Sequence, residues 1–147
     1  MFSNVLIVCY ANICRSPAAE MLLKALHGER SEKAVTYHSA GIRALDGMRM
    51  DTTMENLLRE RGIGPKSHQS RRLNARLVRE ADLILVAERN QISSVEQIEP
   101  TSRGKVFTLG NWEGVDVVDP HGKTESSYRT TLTLIERLAT GWIDRIC

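Results

Sequence analysis

Residues 5–17 read VLIVCYANICRSP, and this stretch determines how the rest of the chain is interpreted. The apolar run 5–8 is typical of a short strand that is buried on both faces. Apolar residues at helical intervals after Pro17 predict a helix, with Ser16 as its N-cap and Pro17 as its first residue. Residues 9–15 are therefore predicted to form a tight loop between a buried strand and a helix N-terminus.

Such a loop has a chemical consequence. Its backbone N–H groups and the positive end of the helix dipole can together hold a tetrahedral oxyanion. A cysteine at the start of the loop, here Cys9, is stabilised as a thiolate by the same donors. Arg15 can offer a planar pair of donors to two oxygens of a bound phosphate. The combination points to phosphoryl transfer through a phosphocysteine. The alternative is a buried structural cysteine beside a surface arginine.

Residues 8–17 resemble the signature of the low-molecular-weight protein tyrosine phosphatases. In that signature a cysteine is followed by any one residue and then by Gly-Asn-Ile-Cys-Arg-Ser-Pro. The chain departs from this pattern at Ala11, where the methyl group either crowds the phosphate or requires a negative φ. Asn12 is then best able to adopt a left-handed conformation. The resemblance covers essentially the whole chain. It implies a phosphatase without metal or cofactor, with the phosphate-binding residues Tyr10, Ala11, Asn12, Ile13, Cys14 and Arg15.

Length and composition limit the classes of protein to which the chain can belong. Its 147 residues are expected to form a single domain, 1–147, with a substantial core. A net charge of +2 without runs of like charge argues against nucleic-acid binding and membrane insertion. Three cysteines do not suggest a disulfide framework, and the N-terminal apolar run is too short for a signal peptide. A reducing, cytoplasmic location is the expectation.

Beyond the loop, strands and helices alternate along the chain. Further strands are predicted at 34–38, 82–86 and 105–109, and helices over 51–62, 74–80, 87–98 and 125–147, with a turn at Gly64-Pro65. This alternation predicts an α/β fold in which a parallel sheet lies between layers of helices. Ligands of such sheets bind beyond the carboxyl ends of the strands, where the Cys9 loop lies. The resemblance adds a three-layer, doubly wound sheet of four strands.

A second part of the site must supply a proton to the leaving oxygen of a phosphomonoester. The loop at 111–123 is long enough to expect function in it. Within it, Asp119-Pro120 resembles the family's Asp-Pro general acid, although Asp-Pro is also a common turn dipeptide. The competing carboxylate, Asp116, is expected to be solvated. His121 stands where the family commonly has tyrosine, and an imidazole there can still form part of the wall around an aromatic ring.

Three polar residues resemble the family's network that holds the phosphate loop in shape. They are Asn12, Ser39 in Ser-Ala-Gly, and His68 in His-Gln-Ser-Arg. Taken alone, the serine and the histidine would more often be ordinary surface or capping groups. Ser16 is expected both to cap its helix and to donate its hydroxyl to the Cys9 sulfur.

The remaining cysteines bear on redox chemistry. Cys14 suggests redox protection, because it can capture an oxidised Cys9 as a reversible disulfide; the alternative is a small core residue. Thioredoxin-coupled arsenate reductases share the fold and loop that the resemblance implies. They need two further cysteines in mid-chain, and none stands between Cys14 and Cys147. Arsenate reduction is therefore disfavoured.

The substrate-facing positions follow mainly from the resemblance. Tyr10, Ile42 and Leu45, with His121, are expected to line an apolar slot for a phenyl ring; for the first three the alternative is core packing. Leu45 stands where eukaryotic relatives commonly have tryptophan. This favours a resemblance to the bacterial members of the family, which act on cytoplasmic tyrosine autokinases that control capsule or exopolysaccharide export. The expected partner is therefore a phosphotyrosine protein, namely a bacterial tyrosine autokinase.

Two other functions remain as alternatives. Protein-arginine phosphatases resemble the chain but carry threonine where Ile13 stands. A phosphate- or phosphotyrosine-binding module, disabled by Ala11, is the non-enzymatic alternative. Cys9 and Asp119 argue against it, because binding alone would require neither residue.

Overall fold

The computed structural model describes residues 2–64 and 67–147, so the turn expected at Gly64-Pro65 extends outside the described residues. A parallel sheet in the order β2-β1-β3-β4 forms its centre. The strands are β1 (Asn4–Cys9), β2 (Thr36–Gly41), β3 (Leu83–Val86) and β4 (Val106–Thr108). The predicted four-stranded parallel sheet, with the loop after its first strand, is confirmed.

Helices cover both faces of this sheet. They are α1 (Arg15–Arg30), α2 (Thr52–Glu60), α3 (Ala75–Glu80), α4 (Asn90–Ile98) and α5 (Glu125–Ile146), with a short 3₁₀ helix at Pro100–Ser102. Alternate residues of β1 point to opposite faces, so that Val5 and Ile7 pack with α1, α2 and α5. Leu6 and Val8 pack on the other face with α3 and α4. The predicted three layers are therefore confirmed. Within the described residues, no helix is both long and apolar enough to span a bilayer.

Some predicted boundaries were wrong. The second strand begins at Thr36, two residues later than predicted, and continues to Gly41, while the fourth helix begins at Asn90 and not at residue 87. Residue 87 still belongs to the sheet edge, because its N–H donates to the Val8 carbonyl. The helix after the loop begins at Arg15, so Ser16 is its second residue and not its N-cap.

The end of β2 packs directly against the loop after β1. The N–H of Ile42 donates to the Cys9 carbonyl at 3.0 Å, and the N–H of Arg43 donates to the Tyr10 carbonyl at 2.9 Å. A Cβ atom at Gly41 would lie 2.8 Å from the Tyr10 carbonyl oxygen, closer than real Cβ atoms approach. Gly41 is therefore required because two segments of backbone come together there.

Candidate active site

The loop 9–15 lies at the carboxyl edge of the sheet. Cys9 ends β1 and is almost fully buried. Asn12 has φ 59° and is the one non-glycine residue in the described part of the chain with a positive φ. The left-handed conformation therefore falls on Asn12, as predicted, and Ala11 stands at a position that an alanine can occupy without this strain.

The buried Asn12 side chain organises the loop. Its Nδ2 donates to Ser16 Oγ at 2.8 Å and to Ser39 Oγ at 2.9 Å, and its Oδ1 accepts from the Arg71 N–H at 3.0 Å. His68 Nε2 donates to the Asn12 carbonyl at 2.7 Å. The structure thus brings together the three residues expected to form a network and adds Arg71. Because both polar atoms of the Asn12 side chain are hydrogen-bonded, the network stabilises the loop in this conformation.

Ser16 connects this network to the thiol. Its Oγ lies 3.0 Å from Cys9 Sγ. Since Asn12 Nδ2 already donates to Ser16 Oγ, the serine hydroxyl hydrogen is free to point at the sulfur. No side-chain hydrogen bond caps α1 at Cys14. The expected hydroxyl contact with Cys9 is therefore present, but the expected helix cap is not, because the serine oxygen is used within the loop.

Replacing Ser16 with alanine is expected to lower kcat for an aryl phosphate by about ten- to a hundredfold, the effect of losing a hydrogen bond to a charged group. The measurement is steady-state hydrolysis of p-nitrophenyl phosphate. Ser39→Ala is the matched control, because it also removes a partner of Asn12 but does not contact the thiol. Equal losses of kcat in the two variants would contradict a specific role for the Ser16 hydroxyl.

Arg15 is held in place by groups from distant parts of the chain. The side chain is buried, and Nη1 donates to Glu88 Oε2 at 2.6 Å and to the Val117 carbonyl at 2.8 Å. Nη2 lies 3.9 Å from Asp119 Oδ2. Burial opposes the charge of Arg15, but the Cys9 sulfur and the carboxylates of Glu88 and Asp119 outweigh it and raise its pKa. A fixed cation therefore faces both the thiol and the loop that carries Asp119.

The two loop cysteines have different environments. Burial, and then the negative charges of Asp51, Asp119 and Cys9, raise the pKa of Cys14 far above that of a free thiol. Cys14 is therefore a protonated thiol near neutral pH and a poor nucleophile. Cys9, with a hydroxyl donor and the Arg15 cation beside it, is the better candidate for the attacking sulfur.

Asp119 lies at the edge of the site in the loop before α5. Its carboxylate is about half exposed, and its Oδ1 accepts from the His121 N–H at 3.0 Å. The alternative carboxylate, Asp116, is exposed and accepts from the Arg89 N–H. Asp119 Oδ2 is 3.9 Å from Arg15 Nη2, so Asp119 is the carboxyl group of the two that lies beside the anion site, and its position favours it as the proton donor.

Asp51 joins the phosphate loop to the Asp119 loop. Its N–H donates to the Ile13 carbonyl at 2.7 Å, and its Oδ1 caps α2 by accepting from the Met54 N–H. Its Oδ2 accepts from Tyr128 at 2.7 Å and lies 3.2 Å from His121 Nδ1. Burial alone would raise the pKa of Asp51, but these hydrogen bonds outweigh it and hold the pKa below its usual value.

Replacing Asp51 with asparagine is expected to lower the free energy of unfolding at pH 7 by about 1–3 kcal/mol, because hydrogen bonds to a buried carboxylate are weakened. The pKa of Asp51 is lower in the folded protein than in the unfolded chain, where it is about 3.9. The ionised carboxylate therefore stabilises the fold at pH values above about 3.9. This stabilisation is lost as the pH falls through the pKa of the folded protein. The difference between wild type and variant should therefore be largest near neutrality and vanish in acid. Urea denaturation at several pH values measures it.

Asp144→Asn is the control for this experiment, because Asp144 pairs with Arg30 on the surface. Exposed pairs contribute about 0–1 kcal/mol, so this variant should change stability little. An Asp51→Asn protein as stable as wild type at pH 7 would contradict the inference.

Two of the four residues expected to line the substrate slot share one groove. Tyr10 and Ile42 line the same groove beside the loop. Tyr10 is 55% exposed and Leu45 is 70% exposed, so neither belongs to the core. Ile42 packs partly against the Leu6 face of the sheet. His121 lies in the Asp119 loop, where its Nδ1 is 3.2 Å from Asp51 Oδ2.

Two residues of the site escaped the sequence interpretation. Glu88, the partner of Arg15, follows β3 at the same edge of the sheet, and the rule that ligands bind at the carboxyl edge could have identified it. Arg71 fixes Asn12 through its backbone N–H, for which no side-chain pattern gives a signal. In the described part of the chain, no group of three or more His, Cys, Asp or Glu side chains is arranged to hold a metal ion.

Comparison with known proteins agrees with this geometry. The model of the family described as low molecular weight phosphotyrosine protein phosphatase matches residues 4–147. The chain is 39% identical over 145 residues to the low molecular weight protein-tyrosine-phosphatase Ptp of Acinetobacter johnsonii, covering 99% of both chains. It is 38% identical over 143 residues to Wzb of Escherichia coli K12, a protein of the same description, covering 97% of this chain and 94% of Wzb.

Solved structures give the same result. The tyrosine phosphatase AmsI of Erwinia amylovora superposes with a TM-score of 0.91 at 35% identity, over 99% of this chain and 93% of that one. The arginine phosphatase YwlE superposes with a TM-score of 0.90 at 29% identity, over 97% of this chain and 95% of that one. The YwlE structure is of a cysteine-to-serine variant with a phosphorylated active-site serine. The fold and the thiol-containing loop define the class of cysteine-dependent phosphatases. Within that class, the chain belongs to the low-molecular-weight phosphotyrosine protein phosphatase family.

Proposed function

We propose that this chain, as a single domain of residues 1–147, removes phosphate from tyrosine in proteins through a phosphocysteine on Cys9. The contact that carries the proposal is that of Cys9 Sγ with Ser16 Oγ at 3.0 Å, beside the buried cation of Arg15. A structural cysteine would require neither the hydroxyl donor nor the fixed cation. Backbone N–H groups of residues 10–15 complete the anion site.

In the first step, the Cys9 thiolate attacks phosphorus. An S–P bond forms as the bond between phosphorus and the phenolic oxygen breaks. Asp119 transfers its proton to that oxygen, so tyrosine leaves as a neutral phenol. Arg15 and the loop N–H groups hold the three equatorial oxygens, on which negative charge is spread in the transition state.

In the second step, water attacks the phosphocysteine. Asp119, now a carboxylate, takes a proton from the water as the new P–O bond forms. The S–P bond breaks, and its electron pair returns to sulfur as the thiolate, which Ser16 and the loop donors stabilise. Phosphate then leaves with the site restored.

The loop geometry weakens the non-enzymatic alternative. A binding module disabled at residue 11 would follow from a distorted loop, but the left-handed position is Asn12 and Ala11 does not need it. Ile13, in place of the threonine of arginine phosphatases, favours phosphotyrosine over phosphoarginine.

We extend the proposal to a biological substrate, a cytoplasmic segment of a bacterial tyrosine autokinase that controls exopolysaccharide or capsule export. Two observations support it. The relatives Wzb and AmsI are bacterial tyrosine phosphatases, and Leu45, which stands where eukaryotic relatives carry tryptophan, is exposed. The enzyme would then act in the cytoplasm, where a thiolate nucleophile stays reduced.

The test compares three substrates in buffer that contains a reductant and EDTA. We expect turnover of p-nitrophenyl phosphate and of a phosphotyrosine peptide, and much slower turnover of a phosphoarginine peptide. A purified, autophosphorylated tyrosine kinase from an exopolysaccharide operon should lose its phosphate in the same assay. Faster turnover of phosphoarginine would contradict the tyrosine assignment, and complete inhibition by EDTA would contradict the cysteine mechanism.

A further inference from the structure

A groove of about 630 Å³ opens beside the phosphate loop and is not used by the chemistry above. Tyr10 and Ile42 form its end nearest the loop, and α4 forms its far wall. Glu88, which holds Arg15, also lines it. The groove is therefore continuous with the site and large enough for side chains of a bound peptide.

Two arginines in this groove have no acidic partner. Arg43 and Arg72 are exposed and line it, and neither belongs to an ion pair among residues 2–64 and 67–147. Among the described residues, Glu88 is the one carboxylate that lines the groove, and it is paired with Arg15. Asp46 accepts a hydrogen bond from the backbone of Arg72, not from its guanidinium.

Arginines elsewhere on the surface are mostly neutralised. Arg30, Arg129 and Arg137 each contact a carboxylate at 3.0 Å or less. The groove therefore offers, directly beside the phosphate loop, two exposed guanidinium groups that form no ion pair among the described residues. Such groups bind carboxylate or phosphate in a planar, bidentate manner.

From this charge pattern we infer that the Arg43–Arg72 groove binds the segment that flanks the phosphotyrosine, and that this segment carries acidic or phosphorylated side chains. The inference rests on the proposed phosphatase function and adds a substrate class to it. While the phosphotyrosine occupies the loop, the flanking chain crosses Tyr10 into the groove. Acidic side chains there meet Arg43 and Arg72, and neutral ones gain nothing from them.

The experiment uses two phosphotyrosine peptides that differ only in flanking residues, glutamates on both sides or glutamines on both sides. At low salt, the wild-type enzyme is expected to show a kcat/KM about tenfold higher for the glutamate peptide. In the double variant R43E/R72E, the ratio of kcat/KM for the glutamate peptide to that for the glutamine peptide should fall to about one or below. The introduced glutamates would repel the glutamates of the peptide, whereas the arginines attract them. The ratio should also fall as salt is raised, since the groups are exposed.

Arg103→Glu is the matched control. Arg103 is also exposed and outside the ion pairs of the described residues, but it precedes β4, at the end of the sheet opposite the loop. The control should keep the preference for the glutamate peptide. The inference would be overturned if the wild-type enzyme had equal kcat/KM values for the two peptides. It would also be overturned if R103E lost the preference for the glutamate peptide to the same extent as R43E/R72E.

The experiment distinguishes an error in the groove inference from an error in the proposed phosphatase function. If p-nitrophenyl phosphate is hydrolysed but the two peptides react equally, only the groove inference fails. If nothing is hydrolysed, the proposed function fails. The groove is then still tested by equilibrium binding of both peptides to the wild-type and R43E/R72E proteins, where equal affinities in the wild type would overturn it.

Discussion

Cys9→Ser is expected to lower kcat for p-nitrophenyl phosphate on the order of 10³-fold or more, because a serine hydroxyl is a far weaker nucleophile than a thiolate. Binding of inorganic phosphate should persist. The loop N–H groups and Arg15 remain, and Glu88 and the Val117 carbonyl still hold the guanidinium. Steady-state kinetics measures the first effect, and isothermal titration calorimetry with phosphate measures the second.

Cys147→Ser is the control for this prediction, because it removes the exposed thiol and leaves the loop intact. Its turnover should equal that of the wild type. Full activity in Cys9→Ser would exclude the phosphocysteine mechanism. Loss of both turnover and phosphate binding would mean that the serine had disrupted the loop, and circular dichroism would then show whether the fold survives.

The phosphate loop could be predicted because its determinants lie close together in the sequence. Residues 5–8 are fully buried, as their uniform apolarity indicated, and they place Cys9 at the carboxyl edge of the sheet. Asn12 takes the left-handed position because its side chain can hydrogen-bond locally. The order of strands and helices likewise predicted a parallel sheet between helices.

Contacts between distant segments could not be predicted in the same way. Glu88 is 73 residues from Arg15, and Arg71 is 59 residues from Asn12. No local periodicity encodes such pairs, because the folded sheet brings them to one edge. Asp51 caps α2 through a local hydrogen bond, but its bonds to Tyr128 and His121 depend on how α5 and the preceding loop pack.

Ser16 shows why a local rule can fail at a functional site. Its chemistry and position before Pro17 favoured an N-cap. In the fold, its oxygen accepts from Asn12 and faces Cys9, and α1 begins two residues earlier than predicted, at Arg15. Pro17 is tolerated as the third helical residue, because the first N–H groups of a helix have no partner within it. Ser16 therefore forms hydrogen bonds within the phosphate loop and does not cap the helix.

Asp119→Asn is expected to slow turnover about 10²- to 10⁴-fold, the range contributed by general acid–base catalysis. The amide keeps the size of the side chain but cannot supply a proton to the leaving oxygen. The effect should therefore be larger for phenyl phosphate, whose leaving group resembles tyrosine, than for p-nitrophenyl phosphate, whose phenolate leaves more easily. Phosphate affinity should change little, because Arg15 and the loop N–H groups are untouched. Steady-state kinetics on the two substrates measures the difference.

The neighbouring carboxylate provides the matched control for Asp119. Asp116 belongs to the same loop, is exposed and accepts from the Arg89 N–H, so Asp116→Asn should retain nearly all activity. Equal losses in the two variants would mean that the loop acts through its conformation and not through a proton. A loss in Asp119→Asn that is the same for both leaving groups would point to positioning of Arg15, whose Nη2 lies 3.9 Å from Asp119 Oδ2. Only a loss that grows as the leaving group becomes more basic requires Asp119 to donate the proton.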